Sequence, residues 1–181
     1  IFIIDTSGSM RSEWETVITK IQKILITYPN LEGIQIINAD GQFFLPYQGQ
    51  WLNAARKDRK EIIKKIINYP ILSGSNPMKG LKKAIIDFRS SDKDIAIWIF
   101  GDDYQTPIGP GSRRGNTVTI AEVVRLLEKL KVKDELSGSQ SRKLTINAIG
   151  FRTGLTENGR MEFALAMREL CERNGGAFIG L

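Results

Sequence analysis

Apolar and polar positions switch between two periods along this chain, and the switches predict its elements. Ile1 to Ile4 are apolar without a break, stop at Asp5, and read as a buried strand. Trp14, Val17, Ile18, Ile21, Ile24 and Leu25 then recur at helical spacing, ending before Tyr28-Pro29-Asn30. Gly33 to Asn38 and Gln42 to Tyr47 are extended runs joined by the turn Ala39-Asp40-Gly41, which predicts a hairpin at a sheet edge. A basic segment, Ala54 to Tyr69, carries Ile62, Ile63, Ile66 and Ile67 as the buried stripe of a helix. Pro77 opens the next helix, whose Met78, Leu81, Ala84, Ile85 and Phe88 share a face. Asp94 to Phe100 is a short buried strand ending in Gly101-Asp102-Asp103, followed by a glycine-rich polar loop to Asn116. A helix from about Thr117 to Lys131, an exposed connector from Asp134 to Ser141, a strand Lys143 to Ile149, a helix from about Asn158 to Arg173 and a strand Ala177 to Ile179 complete the order.

Alternation of strands and helices predicts an α/β fold, a doubly wound Rossmann-like open sheet. It is expected to be mostly parallel with one antiparallel edge strand and helices on both faces. At 181 residues and 41% hydrophobic content the chain fits one domain, residues 1–181, and because it opens inside its first strand it reads as a fragment of a longer protein. Compartment is not fixed by these residues; the working expectation is the cell envelope or export, with any leader or anchor upstream of residue 1.

Composition removes several chemistries. There is no histidine, which excludes Ser-His-Asp and Cys-His catalysis, histidine-ligated zinc and imidazole pH switching. The one cysteine, Cys171, lies in an apolar-periodic segment and is expected in the core. Net charge is +6, but in the densest basic run Arg56, Lys57, Arg59, Lys60, Lys64 and Lys65 are mixed with Asp58 and Glu61 above the isoleucine stripe. A solvated helix face is expected there, and no nucleic-acid partner. No apolar stretch reaches the length of a membrane span. Trp14 and Trp98 fall on packing positions, while the setting of Trp51 after Pro46-Tyr47-Gln48-Gly49-Gln50 leaves it open to exposure.

The candidate chemistry lies at strand ends. Asp5, Ser7 and Ser9 follow the first strand at alternate positions and offer only oxygen, a set suited to a hard divalent cation rather than to zinc or copper. In isolation the same segment also reads as a turn whose hydroxyls bond backbone amides. Ser75, in the loop before the Pro77 helix, and Asp102, at the end of the strand 94–100, can reach the same crevice.

With Asp5, Ser7 and Ser9 in the pattern D-x-S-x-S, the chain resembles the von Willebrand factor A domain, whose metal-ion-dependent adhesion site opens in this way. The resemblance implies that a second loop supplies a hydroxyl and a third a carboxylate, here Ser75 and Asp102. Ser75 is aligned in preference to Ser73 because Leu81 and Ala84 then fall on the buried side of the next helix. It implies magnesium, or another divalent cation such as manganese or calcium, and a protein partner that completes the coordination with a carboxylate. The third loop departs from the family's usual T-D-G, since Gly101-Asp102-Asp103 lacks the threonine and carries a second carboxylate. Facing the crevice at roughly 5 Å, Asp103 would oppose an incoming carboxylate by about 3 kcal/mol at an effective dielectric of ~20, less if exposed; turned away, it would not.

The expected function is therefore a protein-binding module without enzymatic activity. Two alternatives stand beside it. One is a magnesium-dependent phosphatase of the haloacid-dehalogenase type, with Asp5 as nucleophile; it lacks the aspartate two residues later that serves as general acid, because Ser7 stands there. The other is a metal-free structural or interaction domain.

Overall fold

The computed structural model describes residues 1–45, 50–71, 74, 76–89, 93–103, 118–136, 143–153 and 156–181. Ser75, the tip of the second extended run (46–49), the glycine-rich loop from 104 to 117 and the connector from 137 to 142 lie outside the described residues. β1 (Phe2–Ile4) is flanked by β3 (Ile36–Asn38) and β5 (Ile95–Gly101), and the sheet continues through β6 (Leu144–Gly150) to β7 (Phe178–Gly180), with every neighbouring pair parallel. The expected α/β doubly wound architecture is present.

Helices cover both faces because side chains alternate along each strand. Phe2, Ile4, Phe100 and Ile149 face α1 (Trp14–Thr27) and α2 (Arg56–Ile67), joining Trp14, Val17, Ile21, Leu25, Ile62, Ile63 and Ile66 in one core. Ile3, Ile97, Ile99, Ile146 and Ala148 face α3 (Pro77–Phe88), α4 (Ile120–Leu136) and α5 (Glu157–Arg173) in the other. Cys171 belongs to this second core, where burial raises its thiol pKa to about 11. Trp51 is partly buried, edge-on to Phe88 with ring centroids 4.8 Å apart. Among the described residues no helix is long and apolar enough to cross a membrane.

Three expectations change in detail. Among the described residues the hairpin is reduced to one antiparallel bridge, Ile37 to Phe43, at the β3 edge. Its first arm is split by buried Gln35, whose Oε1 accepts from Ile36 N at 2.9 Å and whose Nε2 donates to Gln50 O at 2.6 Å. The preceding β2 (Gly33–Ile34) pairs instead with β4 (Leu52–Asn53) in a separate antiparallel ribbon. In the basic helix Ile67 is 49% exposed, so the stripe ends at Ile66. Arg59 reaches across from that helix to donate to Leu25 O at 2.6 Å and Pro29 O at 3.1 Å, meeting carbonyls at the end of α1. Finally, α4 runs on to Leu136 instead of ending at Lys131. Asp134, expected in an exposed connector, is ion-paired from within the helix to Arg89.

The contact that sets α3 against the sheet is made by a missing side chain. A Cβ on Gly80 would stand 2.7 Å from Asn38 O and 2.8 Å from Ile3 Cγ2, so only glycine lets the first turns of α3 approach the ends of β1 and β3. Gly80→Ala is a substitution that ordinarily strengthens a helix by roughly 0.5–1 kcal/mol. Here it is expected to destabilise the domain by about 1–3 kcal/mol in denaturant unfolding, because the overlap falls on backbone and on a buried side chain.

Candidate metal centre

The chain reverses its direction of winding at β1. From β1 it crosses through α1 to β3 on one side, whereas β5 joins β1 on the other, and sheets of this kind bind ligands outside the carboxyl ends of the strands at such a point. Asp5 follows β1 and Asp102 follows β5. The pairing of Ile4 with Phe100 and the hydrogen bond from Asp5 N to Phe100 O, 2.8 Å, bring the two strand ends together. Gly101 lies close to α5, since a Cβ there would stand 3.1 Å from the Phe163 ring, while Asp5 Cβ would be in ordinary contact at 3.5 Å.

Asp5 is fully buried, and its Oδ1 accepts from Ser7 N at 2.7 Å. This short turn folds the chain back immediately after the strand. A 3₁₀ helix, Gly8–Glu13, follows, pinned by buried Met10, and within the turn the hydroxyls of Ser7 and Ser9 are hydrogen-bonded at 3.0 Å. The first three residues read from the sequence thus share one compact turn.

Asp102 is also fully buried. Its Oδ2 accepts from Thr153 Oγ1 at 2.9 Å, whereas among the described residues its Oδ1 has no hydrogen-bond partner. Among the described residues no lysine or arginine pairs with it. A carboxylate taken out of water needs a counter-charge or a full set of donors, because desolvation of an unpaired ion costs several kcal/mol, on the order of the protein's whole stability. A hard cation at Oδ1 would meet that need, since carboxylate and hydroxyl oxygens are suitable donors for one. Among the described residues no group of three or more Asp, Glu, Cys or His side chains gathers.

The residues on either side of Ser75 are held from two directions. Gly74 N donates to Asp40 Oδ2 at 2.9 Å, in the turn after β3. Asn76 caps α3 by accepting from Met78 N at 3.1 Å, and its Nδ2 donates to Val118 O at 3.3 Å. Pro77 at the first helical position completes the start expected from the sequence.

Asp103 is buried, 6% exposed. Its carboxylate lies over Gly159 in the first turn of α5, so it is more than a bare turn residue. Thr153 and Gly159 were not legible as site residues in the sequence. The available signals were slight: a hydroxyl three residues beyond the end of β6, and an isolated glycine inside a helical pattern, which marks close approach by another group.

No family model and no curated protein matches the chain. Solved structures do. A von Willebrand factor type A protein from Catenulispora acidiphila superposes with a TM-score of 0.60 at 16% identity, over 99% of this chain and 37% of that one. The D319A mutant of the PilB minor pilin from Streptococcus sanguinis gives a TM-score of 0.53 at 12% identity, over 99% of this chain and 55% of that one. The chain thus spans about a third to a half of the length of the proteins it resembles. With its sheet order, its two helical layers and these superpositions, the chain has the von Willebrand factor A fold.

Proposed function

We propose that this domain is a protein-binding module that holds one divalent cation, magnesium or an ion of similar hardness, through Asp5, Ser7, Ser9, Ser75 and Asp102, and recruits a partner through an acidic side chain. The observation that carries this reading is the buried Asp102 Oδ1, which among the described residues has no hydrogen-bond partner, just past the strand adjacent to the one that presents Asp5. A bound cation would supply a coordination position that a partner's carboxylate can take. The fold supports the same reading, since domains of this fold commonly mediate protein interaction.

Each residue has a separate task. Asp5 and Asp102 together carry two negative charges, matching a dication, so the centre stays receptive to one further anionic ligand. Ser7 Oγ and Ser9 Oγ are neutral oxygen donors that add coordination without adding charge. Thr153 fixes the orientation of Asp102 by occupying Oδ2, which leaves Oδ1 as the donor atom. Ser75 is the hydroxyl of the second loop in this reading.

Calorimetric titration with magnesium and manganese is expected to show one site, abolished in Asp5→Ala; absence of heat in the intact, folded domain would remove the metal from the proposal. Thr153→Val should weaken magnesium binding by at least about tenfold, as losses of groups that orient a ligand do. In the metal-free protein the same change should cost about 1–3 kcal/mol of stability, because a second buried oxygen of Asp102 loses its donor. Small phosphomonoesters should not be hydrolysed, since Ser7 cannot protonate a leaving group at neutral pH. Magnesium-dependent turnover that disappears in Asp5→Asn would favour a phosphatase instead.

A further inference from the structure

The third loop is fastened to α5 at two points. Gly101 lies against the ring of Phe163, and two residues later the carboxylate of Asp103 lies over Gly159. Gly159 and Phe163 are four apart and therefore share one face of the helix. A Cβ built on Gly159 would stand 2.8 Å from Asp103 Cγ and 3.0 Å from Oδ2, with Oδ1 nearer still. The space that a side chain would fill at this position is taken by the carboxylate. Thr156 caps the same turn, its hydroxyl accepting from Gly159 N at 3.0 Å. A helix start is also the place where a buried negative charge is best tolerated, because the macrodipole is positive there. Between the two fastenings sits Asp102, itself held by Thr153 in the segment that leads from β6 into α5.

We propose that Asp103 is a positioning residue: seated on Gly159, it locks the third loop to the first turn of α5 and so fixes where Asp102 presents its carboxylate. This rests on the metal reading above for its consequence, but the lock itself is a property of the metal-free protein. The doubled aspartate then has divided duties, with Asp102 directed to the cation and Asp103 to the helix. Coupling follows in both directions, since whatever loosens the first turn of α5 weakens metal binding, and metal binding in turn steadies that turn.

The test is a double-mutant cycle with Asp103→Ala, Gly159→Ala and the combined variant, each read by denaturant unfolding in EDTA and by magnesium titration. Gly159→Ala should lower the unfolding midpoint and weaken magnesium binding about tenfold, although every proposed ligand and every charge is unchanged. In the Asp103→Ala background the same substitution should raise the midpoint, because the new methyl has room and alanine is the better helix former. Magnesium affinity of the double variant should then be no lower than that of Asp103→Ala alone. Equal effects of Gly159→Ala in both backgrounds would overturn the lock. An inverted stability effect with unaltered magnesium affinity in Gly159→Ala would overturn the positioning role. If the intact domain binds no magnesium, the metal reading fails, and the cycle in EDTA, together with amide exchange at residues 156–160 in Asp103→Ala, still decides the lock: slower or unchanged exchange there counts against it, faster exchange supports it.

Discussion

The parallel pairing of β1 with β5 is the constraint on which the candidate centre depends. It sets two strand ends that are almost a hundred residues apart in sequence next to each other, and each ends in a carboxylate. Neither carboxylate alone would be unusual. Their burial side by side is, because two negative charges in a desolvated crevice raise each other's cost unless something positive or strongly polar answers them. The rest of the molecule supplies part of that answer: an amide to Asp5, a hydroxyl to Asp102 and the positive end of α5 near Asp103. Among the described residues no donor is supplied for the last oxygen of Asp102.

Glycine is the means by which helices are brought to this crevice. Gly80 lets α3 sit directly on the ends of β1 and β3, which carries its capping residue Asn76 to the rim. Gly101 and Gly159 do the same between β5 and α5. At Gly80 a methyl group would overlap backbone as well as a side chain, at Gly159 it would overlap the Asp103 carboxylate, and at Gly101 it would press on the Phe163 ring. Loops that leave such closely set elements start from fixed points, and this matters more for a coordination site than the regularity of the loops themselves.

The sequence made the architecture readable because the sheet is largely buried on both faces and its central strands are continuous apolar runs that stop abruptly. Asp5 and Asp102 could be singled out because each stands where such a run ends. Ser7 and Ser9 were singled out by their spacing after Asp5 and by the D-x-S-x-S resemblance, and the structure places them in one turn with it. The misreadings have local physical causes. Gln35 falls inside the extended run Gly33 to Asn38, yet its amide takes over backbone partners and divides that run in two. The last turn of α4 looked like a connector, because its stabilising partner, Arg89, is 45 residues away. Thr153 and Gly159 left only slight signals for the same reason, since each matters through what another segment places against it.

One further consequence concerns the single cysteine. Burial raises the thiol pKa of Cys171, which faces the core from α5, to about 11, so little thiolate is present at neutral pH, and the group is shielded from reagents as well. The native thiol is in effect chemically silent. A cysteine introduced on the surface would therefore be the only reactive one in the folded domain, so a spectroscopic label or cross-linker can be set at any chosen point around the crevice without first replacing a native residue.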